Sequence, residues 1–401
     1  MEPVIYKDLY EVLTSLKKQI DLEPSKWEYR KRAINPYESI FSTFKASQDS
    51  ISTTPSESNW RVAGKKKHSK SFPSIPIKYS IAGIRPISRA FFKMTELGHH
   101  IRHSEDPATL KVFSKPIHAL HLAEAPGGFV QSWRWHRTKD GFIDKATCFS
   151  VIKKEGKSPW SNLLDVSKKW KCPPGLYTSD LLNETDRHSI LTHPDLEDGV
   201  SLVTGDGGFD FSSDYSTQEE QATPLILAEV IVGLRLLKKD GAFILKIFDC
   251  VTLPMLQILW IFWKSFRSFK IIKPNTSRTC NSEKYIVARG FKGMNINLNT
   301  FLNRCENILC TSPLPISTLF YAGPNMSWET MDPKFKVGAN SLLKLMKRQI
   351  ESIQLALTID PLETNKIRKD REFTSQSISR KWCSYYNIPI HQSMLMVYPE
   401  S

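Results

Sequence analysis

The 401-residue sequence contains no Cys-x-x-Cys pair, no internal repeat and no apolar run of bilayer-spanning length. Its seven cysteines (Cys148, Cys172, Cys250, Cys280, Cys305, Cys310 and Cys383) are odd in number, and several lie in apolar, strand-like surroundings. That usage argues against a disulfide framework or a zinc site and for buried free thiols in a reducing compartment, so no metal is expected. The most apolar window, Val251 to Phe266, is interrupted by Pro254 and Lys264 and is shorter than the ~20 residues of a spanning helix. The opening, Met1-Glu-Pro-Val-Ile-Tyr-Lys-Asp8, has no basic segment followed by an apolar core, and no signal peptide is expected. A soluble, intracellular protein with no membrane partner is the expectation. Also missing is the glycine spacing of a dinucleotide fingerprint or a phosphate-cradling P-loop, which disfavours a nicotinamide oxidoreductase.

What is abundant is positive charge. Lys and Arg number 55 against 41 Asp and Glu, a formal net charge of +14. That excess suits a polyanionic partner, nucleic acid being the commonest, although many basic proteins gain only solubility from it. The length allows one large domain with appendages, or two domains.

Apolar positions at Val4, Ile5, Leu9, Leu13, Leu16 and Ile20 recur with helical spacing, and a helical or irregular piece continues to Phe44. From Ala46 to Phe72 the composition turns to Ser, Thr, Pro and Lys, including Gly64-Lys-Lys-Lys-His-Ser-Lys70, which reads as a basic linker. Ser88 to His99 predicts a helix with Ser88 as its N-cap. Strands are expected at 118–124, 146–152, 200–205, 242–248, 269–273 and 284–289, and helices at Val130–His136, Gln218–Leu237 and Pro254–Phe266. Alternating strands and helices predict a doubly wound α/β sheet. Past Lys292 the pattern becomes helical, with an amphipathic stretch from Asn340 to Leu357 and a segment from Ile378 to Asn387. The expected division is a helical N-terminal region over 1–45, the basic linker over 46–78, the α/β domain over 79–295 and a helical C-terminal extension over 296–401.

One stretch organises the chain. The apolar run His118–Ala123 ends in Glu124, then Ala125-Pro-Gly-Gly-Phe129, then a helix. This is a buried parallel strand turning tightly into a helix, with glycines where a ligand would approach the backbone. Ligands of doubly wound sheets bind beyond the carboxyl ends of the strands. Besides this turn, that rim should carry Gly205-Asp-Gly-Gly-Phe209 after the strand Val200–Thr204, and Lys246 near the end of Ala242-Phe-Ile-Leu-Lys. If the strand at 284–289 runs antiparallel, Glu283 joins Asp206 and Lys246 there. Each residue has a plainer alternative: Asp206 a turn-capping acid, Lys246 the exposed end of an edge strand, Glu283 a surface acid, Lys93 a solvated helix lysine. Burial would lower the pKa of Lys246 and a nearby carboxylate would oppose that shift.

With Arg89-Ala-Phe-Phe-Lys93, His121-Leu-Ala-Glu-Ala-Pro-Gly-Gly-Phe129, Val203-Thr-Gly-Asp-Gly-Gly-Phe-Asp210, Gly241-Ala-Phe-Ile-Leu-Lys-Ile-Phe248 and Lys273-Pro-Asn-Thr-Ser-Arg-Thr-Cys-Asn-Ser-Glu283, the chain resembles the RrmJ/FtsJ-like RNA 2′-O-methyltransferases. Within them it is most similar to the Adrift-type cap methyltransferases. The resemblance covers about residues 85–292, with Lys381-Trp-Cys-Ser-Tyr-Tyr386 a weaker echo. It implies a Rossmann-like fold, a mostly parallel seven-stranded sheet with an antiparallel last strand, flanked by helical N- and C-terminal extensions. It implies S-adenosylmethionine as cofactor, held at Glu124, Ala125, Pro126, Gly127, Gly128 and Phe129, with Asp180 receiving the adenine amino group and Asp206 beside the donor. Asp180 has a second reading, as the N-cap of the Leu181–Ile190 segment. The ribose-contacting segment is poorly matched at Val151–Trp160. The resemblance also implies a catalytic tetrad of Lys93, Asp206, Lys246 and Glu283. RNA, as 5′-capped mRNA, is then the expected partner, and the capping or transcription machinery a further one. A ribosomal-RNA methyltransferase and a catalytically idle RNA-binding subunit are the alternatives.

Overall fold

The computed structural model describes residues 5–22, 24–41, 81–84, 86–151, 159–161, 164, 172–209, 211, 215–311, 315–319, 332–360 and 365–390. The expected linker over 46–78 lies outside these residues, as does most of the expected ribose-contacting segment. The chain forms two compact units: Met1–Glu23 with Pro86–Thr358, and Pro24–Arg85 with Ile359–Ser401.

The first unit is built on one sheet. Its elements in chain order are α1 (Lys7–Asp21), α2 (Ala90–Arg102), α3 (Pro107–Phe113), β1 (His118–Leu122), α4 (Gly128–Lys139), β2 (Lys145–Ser150), β3 (Gly175–Thr178) and α5 (Glu184–Leu191). There follow β4 (Val200–Gly205), α6 (Gln218–Leu236), β5 (Leu237–Ile247), α7 (Leu253–Ser265), β6 (Phe266–Ile272), β7 (Lys284–Phe291), α8 (Ile296–Thr311) and α9 (Pro333–Leu357). The seven strands lie in the order β3-β2-β1-β4-β5-β7-β6. The β1, β2, β3, β4 and β5 neighbours pair in parallel, whereas β7 runs antiparallel to both β5 and β6. This is the expected architecture of a mostly parallel sheet with an antiparallel last strand. The strand order reverses at β1, and doubly wound sheets bind ligands beyond the carboxyl ends of the strands at such a switch point, here β1 and β4.

The central strands read as continuous apolar runs because helices cover both of their faces. Met94, Leu97 and Ile101 of α2, Phe129 and Trp133 of α4, and Leu202, Ala242, Ile244, Tyr285 and Val287 of the sheet form one buried cluster. A fully buried side chain of this size contributes about 1.5–3 kcal/mol, so this layer fixes α2 and α4 over the sheet. Buried Asp144 at the start of β2 locks the same layer. It accepts from Ile117 N–H (3.0 Å), Trp133 Nε1 (3.0 Å) and Arg137 Nε (2.7 Å).

Several boundaries differ from expectation for identifiable reasons. β5 begins at Leu237, five residues before the predicted strand, because Lys238-Lys-Asp-Gly241 reads as a turn but forms an irregularity in register against β4, with Asp240 at φ 66°. β3, a four-residue edge strand with no buried side chain, carried too weak an apolar signal to be predicted. Ser88 does not cap α2: the N-cap position is Arg89, no side chain caps it, and the Ser88 carbonyl accepts from Phe91 N–H. The amphipathic helix expected from Asn340 begins earlier, at Pro333, capped by Asp332 accepting from Lys334 N–H.

The second unit contains helices Pro24–Ala33, Glu38–Phe41 and Asn365–Tyr385; the last two pack together, and Trp382 and Cys383 are buried. Ala82 bridges Ile390, and Ser39 N–H donates to Ser375 Oγ (3.1 Å). All seven cysteines are free, and five are buried. Among the described residues no helix is long and apolar enough to cross a membrane.

Candidate active site

The first half of the site is the turn that leaves β1. Gly127 N–H donates to the Glu124 carbonyl (2.8 Å), closing the turn, and Gly127 sits at φ 107° as the N-cap residue of α4. A side chain there would be strained, and its Cβ would run into Leu164. Gly128 has a different job: a Cβ would lie 3.0 Å from both Ala90 Cβ and Phe91 N, so glycine lets α4 start against α2. Ala125 and Pro126 are half-buried beside them. Glu124 is buried, with Oε2 2.9 Å from His121 Nδ1, which is itself 2.7 Å from Thr204 Oγ1. Burial pushes the Glu124 carboxyl well up and His121 down to about 3. Glu124 Oε1 is buried and has no hydrogen-bond partner among the described residues. An orphaned carboxyl oxygen just beyond the end of β1 is what a ligand bearing hydrogen-bond donors would satisfy.

Phe129 and Asp180 sit differently from the rest of the expected cofactor set. Phe129 is fully buried and packs its ring 5.8 Å from that of Tyr285, so it supports the site from within the core. Asp180 is exposed just past β3. Its Oδ1 accepts from Leu182 N–H (2.9 Å) and its own N–H donates to Asp186 Oδ2 (2.6 Å). It is not the N-cap of the next helix, because α5 opens at Asn183, whose side chain accepts from Asp186 N–H.

The second half is assembled from four elements. Lys93 projects from α2, Asp206 follows β4, Lys246 is the penultimate residue of β5, and Glu283 immediately precedes β7. The antiparallel register sets Lys246 opposite Tyr285 and Ile247 opposite Lys284, which brings the start of β7 to the rim. Leu122 is level with Gly205, so Glu124 and Asp206 stand just beyond adjacent strand ends. Lys246 Nζ donates to the Asp206 carbonyl (2.7 Å) and lies 3.3 Å from Asp206 Oδ1. Lys93 Nζ lies 2.7 Å from Glu283 Oε2. β5 is an interior strand, Glu283 is buried, and the Lys93 side chain is 15% exposed, so these three are not the solvated surface groups of their plainer alternatives.

Electrostatics ties the two pairs into one network. Burial works against the charge on Lys246, but Asp206, Glu283 and Glu229 outweigh it, and its pKa is raised. The opposing carboxylates therefore outweigh the desolvation. Glu283 is likewise disfavoured as an anion by burial, yet Lys93, Lys246 and Lys273 bring it down to about 2. Among the described residues no group of three or more His, Cys, Asp or Glu could hold a metal ion.

The residues that support this network went unremarked in the sequence. Tyr285 OH donates to Asp206 Oδ1 (2.8 Å), and Ser277 Oγ donates to Glu283 Oε1 (2.8 Å). Glu96, one turn after Lys93 on α2, accepts from Asn275 N–H (2.7 Å), Thr276 N–H (2.8 Å) and Thr276 Oγ1 (2.7 Å). Lys273 Nζ donates to the Asn281 carbonyl (2.6 Å), Asn281 Oδ1 (2.7 Å) and the Glu283 carbonyl (2.9 Å). Burial, reinforced by Lys284, lowers Lys273 to about 7. The β6–β7 connection is thus clamped from both ends, which fixes Glu283. A signal existed for Tyr285, since two residues after Glu283 on a strand share its face.

Residues 86–291 match the model of the FtsJ-like methyltransferases. Over 329 residues the chain is 27% identical to a cap-specific mRNA (nucleoside-2′-O-)-methyltransferase 1 of Dictyostelium discoideum, covering 72% of this chain and 41% of that protein. Over 261 residues it is 27% identical to the protein of the same name from Xenopus laevis, covering 59% and 31%. A cap-specific mRNA (nucleoside-2′-O-)-methyltransferase 2 of Drosophila melanogaster is 26% identical over 214 residues, covering 49% and 30%. The chain spans less than half the length of each of these relatives.

Proposed function

Because the chain belongs to the FtsJ-like methyltransferase family, we propose that it methylates a ribose 2′-hydroxyl near the 5′ cap of mRNA, with S-adenosylmethionine as donor. The observation that carries this reading is the convergence of Lys93, Asp206, Lys246 and Glu283 on one rim, beside a glycine turn with an orphaned acceptor. The relatives named for cap methylation supply the substrate class, and a net charge of +14 suits RNA.

When bound, S-adenosylmethionine supplies an electrophilic methyl group on a sulfonium centre. Glu124, Ala125, Pro126, Gly127 and Gly128 would hold it, with Asp180 at the adenine end and Phe129 bracing the turn from below. A 2′-hydroxyl is a weak nucleophile near neutral pH, so alignment and a positioned base matter most. Lys246 is that base. Asp206 orients it through carbonyl and carboxylate, and Tyr285 orients Asp206 in turn. The ammonium form of Lys246 would be opposed by the positive sulfonium that the glycine turn would hold, which favours the free amine. Lys93, steadied by Glu283, fixes the acceptor oxygen or the adjoining phosphate. Because the four groups form one charged network, each contributes through the others.

The test is methyl transfer from labelled S-adenosylmethionine to short RNAs, capped and uncapped, with mass spectrometry of the modified ribose. Transfer that needs the cap supports the reading. Transfer to uncapped structured RNA alone points to a ribosomal-RNA substrate, and RNA binding without S-adenosylmethionine binding points to an idle subunit.

A further inference from the structure

Helix α6 carries one acid in its buried middle turns, Glu229, which has no exposed surface. A carboxyl in such surroundings needs a reason, because burial strongly disfavours its charge. Its Oε1 accepts from the N–H of Gly207 (3.0 Å), the residue after Asp206. Its Oε2 is buried and has no hydrogen-bond partner among the described residues. The Asp206 turn makes room for this group. A Cβ on Gly205 would lie 2.9 Å from Glu229 Cδ and Oε1, and one on Gly207 would lie 2.7 Å from Oε1. The glycines on either side of Asp206 are therefore where the chain gives way to the Glu229 carboxyl.

Burial raises Glu229 to about 8, against the pull of Lys246 and the Gly207 N–H, with Asp206 and Glu124 adding to the rise. Lys246 feels Glu229 in return, together with Asp206 and Glu283, and Lys93 stands behind Glu283. We propose that Glu229 is a positioning residue of the methyl-transfer site, fixing the Asp206 turn through Gly207 and tuning by its own charge how readily Lys246 releases its proton. This rests on the reading of that site given above.

The sign follows from the charges. An ionised Glu229 stabilises the ammonium form of Lys246, so removing the charge lets Lys246 lose its proton at lower pH. Glu229→Gln keeps an acceptor for Gly207 N–H and removes the charge; Glu229→Ala removes both. Two measurements separate these roles in the full chain: kcat–pH profiles on capped RNA, and a carbon-13 NMR titration of labelled lysine, with Lys246 assigned through Lys246→Arg. Above about pH 8, where Glu229 is ionised, Glu229→Gln is expected to move the Lys246 titration down by about one pH unit, while an acid limb of kcat lying below pH 8 stays in place. Glu229→Ala should in addition lose about 10- to 100-fold in kcat, with KM for RNA within about twofold. An unmoved Lys246 titration in Glu229→Gln overturns the proposal, as does wild-type kcat in Glu229→Ala. If wild-type protein methylates no RNA, the reading of the site falls, and the NMR titration still decides the role of Glu229. Should Glu229→Ala not fold, the glutamine variant carries the same test.

Discussion

Replacing Glu283 by glutamine isolates the charge that ties Lys93 into the rim. The side chains of Lys93 and Glu283 are 15% and 11% exposed and lie 2.7 Å apart. Glutamine keeps an oxygen to accept from Ser277 Oγ, so the main loss is the counter-charge of Lys93. Removing one partner of a fully buried pair costs about 3–5 kcal/mol, and the residual exposure reduces the expected cost to roughly 2–3 kcal/mol. The pH dependence has a definite sign. Burial alone would raise Glu283, but Lys93, Lys246 and Lys273 depress it from 4.5 to about 2. A depressed acid contributes stability that is complete above its unfolded pKa and is lost as the pH falls through its folded pKa. Urea denaturation of wild type and Glu283→Gln, followed by tryptophan fluorescence at a series of pH values, reads this directly. The difference should be constant above about pH 5 and should shrink as acid protonates Glu283. A difference below about 0.5 kcal/mol at neutral pH, or one that grows on acidification, would refute the reasoning.

Three further outcomes are expected. Tyr285→Phe removes the donor to Asp206 while leaving the ring packed on Phe129, so kcat should fall about tenfold, the equivalent of one charge-assisted hydrogen bond, with little change in melting temperature. Gly127→Ala places a Cβ at φ 107° and against Leu164; calorimetry should show weakened S-adenosylmethionine binding, and denaturation a loss of about 1–3 kcal/mol. Lys273→Met tests a base whose folded pKa is lowered from 10.5 to about 7. Between those values the unfolded chain binds the extra proton, so wild-type stability should rise with pH, and the variant should lose that slope in denaturation at alkaline pH.

The apolar runs of β1, β4 and β5 made the central sheet legible, because strands buried on both faces leave continuous apolar segments. Glu124 and Asp206 could be assigned to one rim for the same reason: each follows such a run. Lys93 was different, since nothing in a helical lysine by itself announces an ion pair with a residue 190 positions away. Its place came only from the resemblance. β3, a short edge strand, buries too little to impose a pattern on the sequence. The start of β5 was misplaced because Asp240-Gly241 has the composition of a turn, whereas here it bends a strand. Glu229, Glu96 and Lys273 were invisible as site residues, because their roles arise from tertiary contacts to backbone groups that carry no side-chain signature.

In the proposed reaction Lys246, set by Asp206, prepares a ribose 2′-hydroxyl of capped RNA for methylation. Its most direct test is transfer from labelled S-adenosylmethionine to a capped oligonucleotide by wild type and Lys246→Ala, with the ribose located by mass spectrometry. A 2′-O-methyl group near the cap is expected with wild type, and a loss of at least about 100-fold with Lys246→Ala, S-adenosylmethionine binding being retained. Full activity in Lys246→Ala, or methylation of a base instead of the ribose, would contradict it.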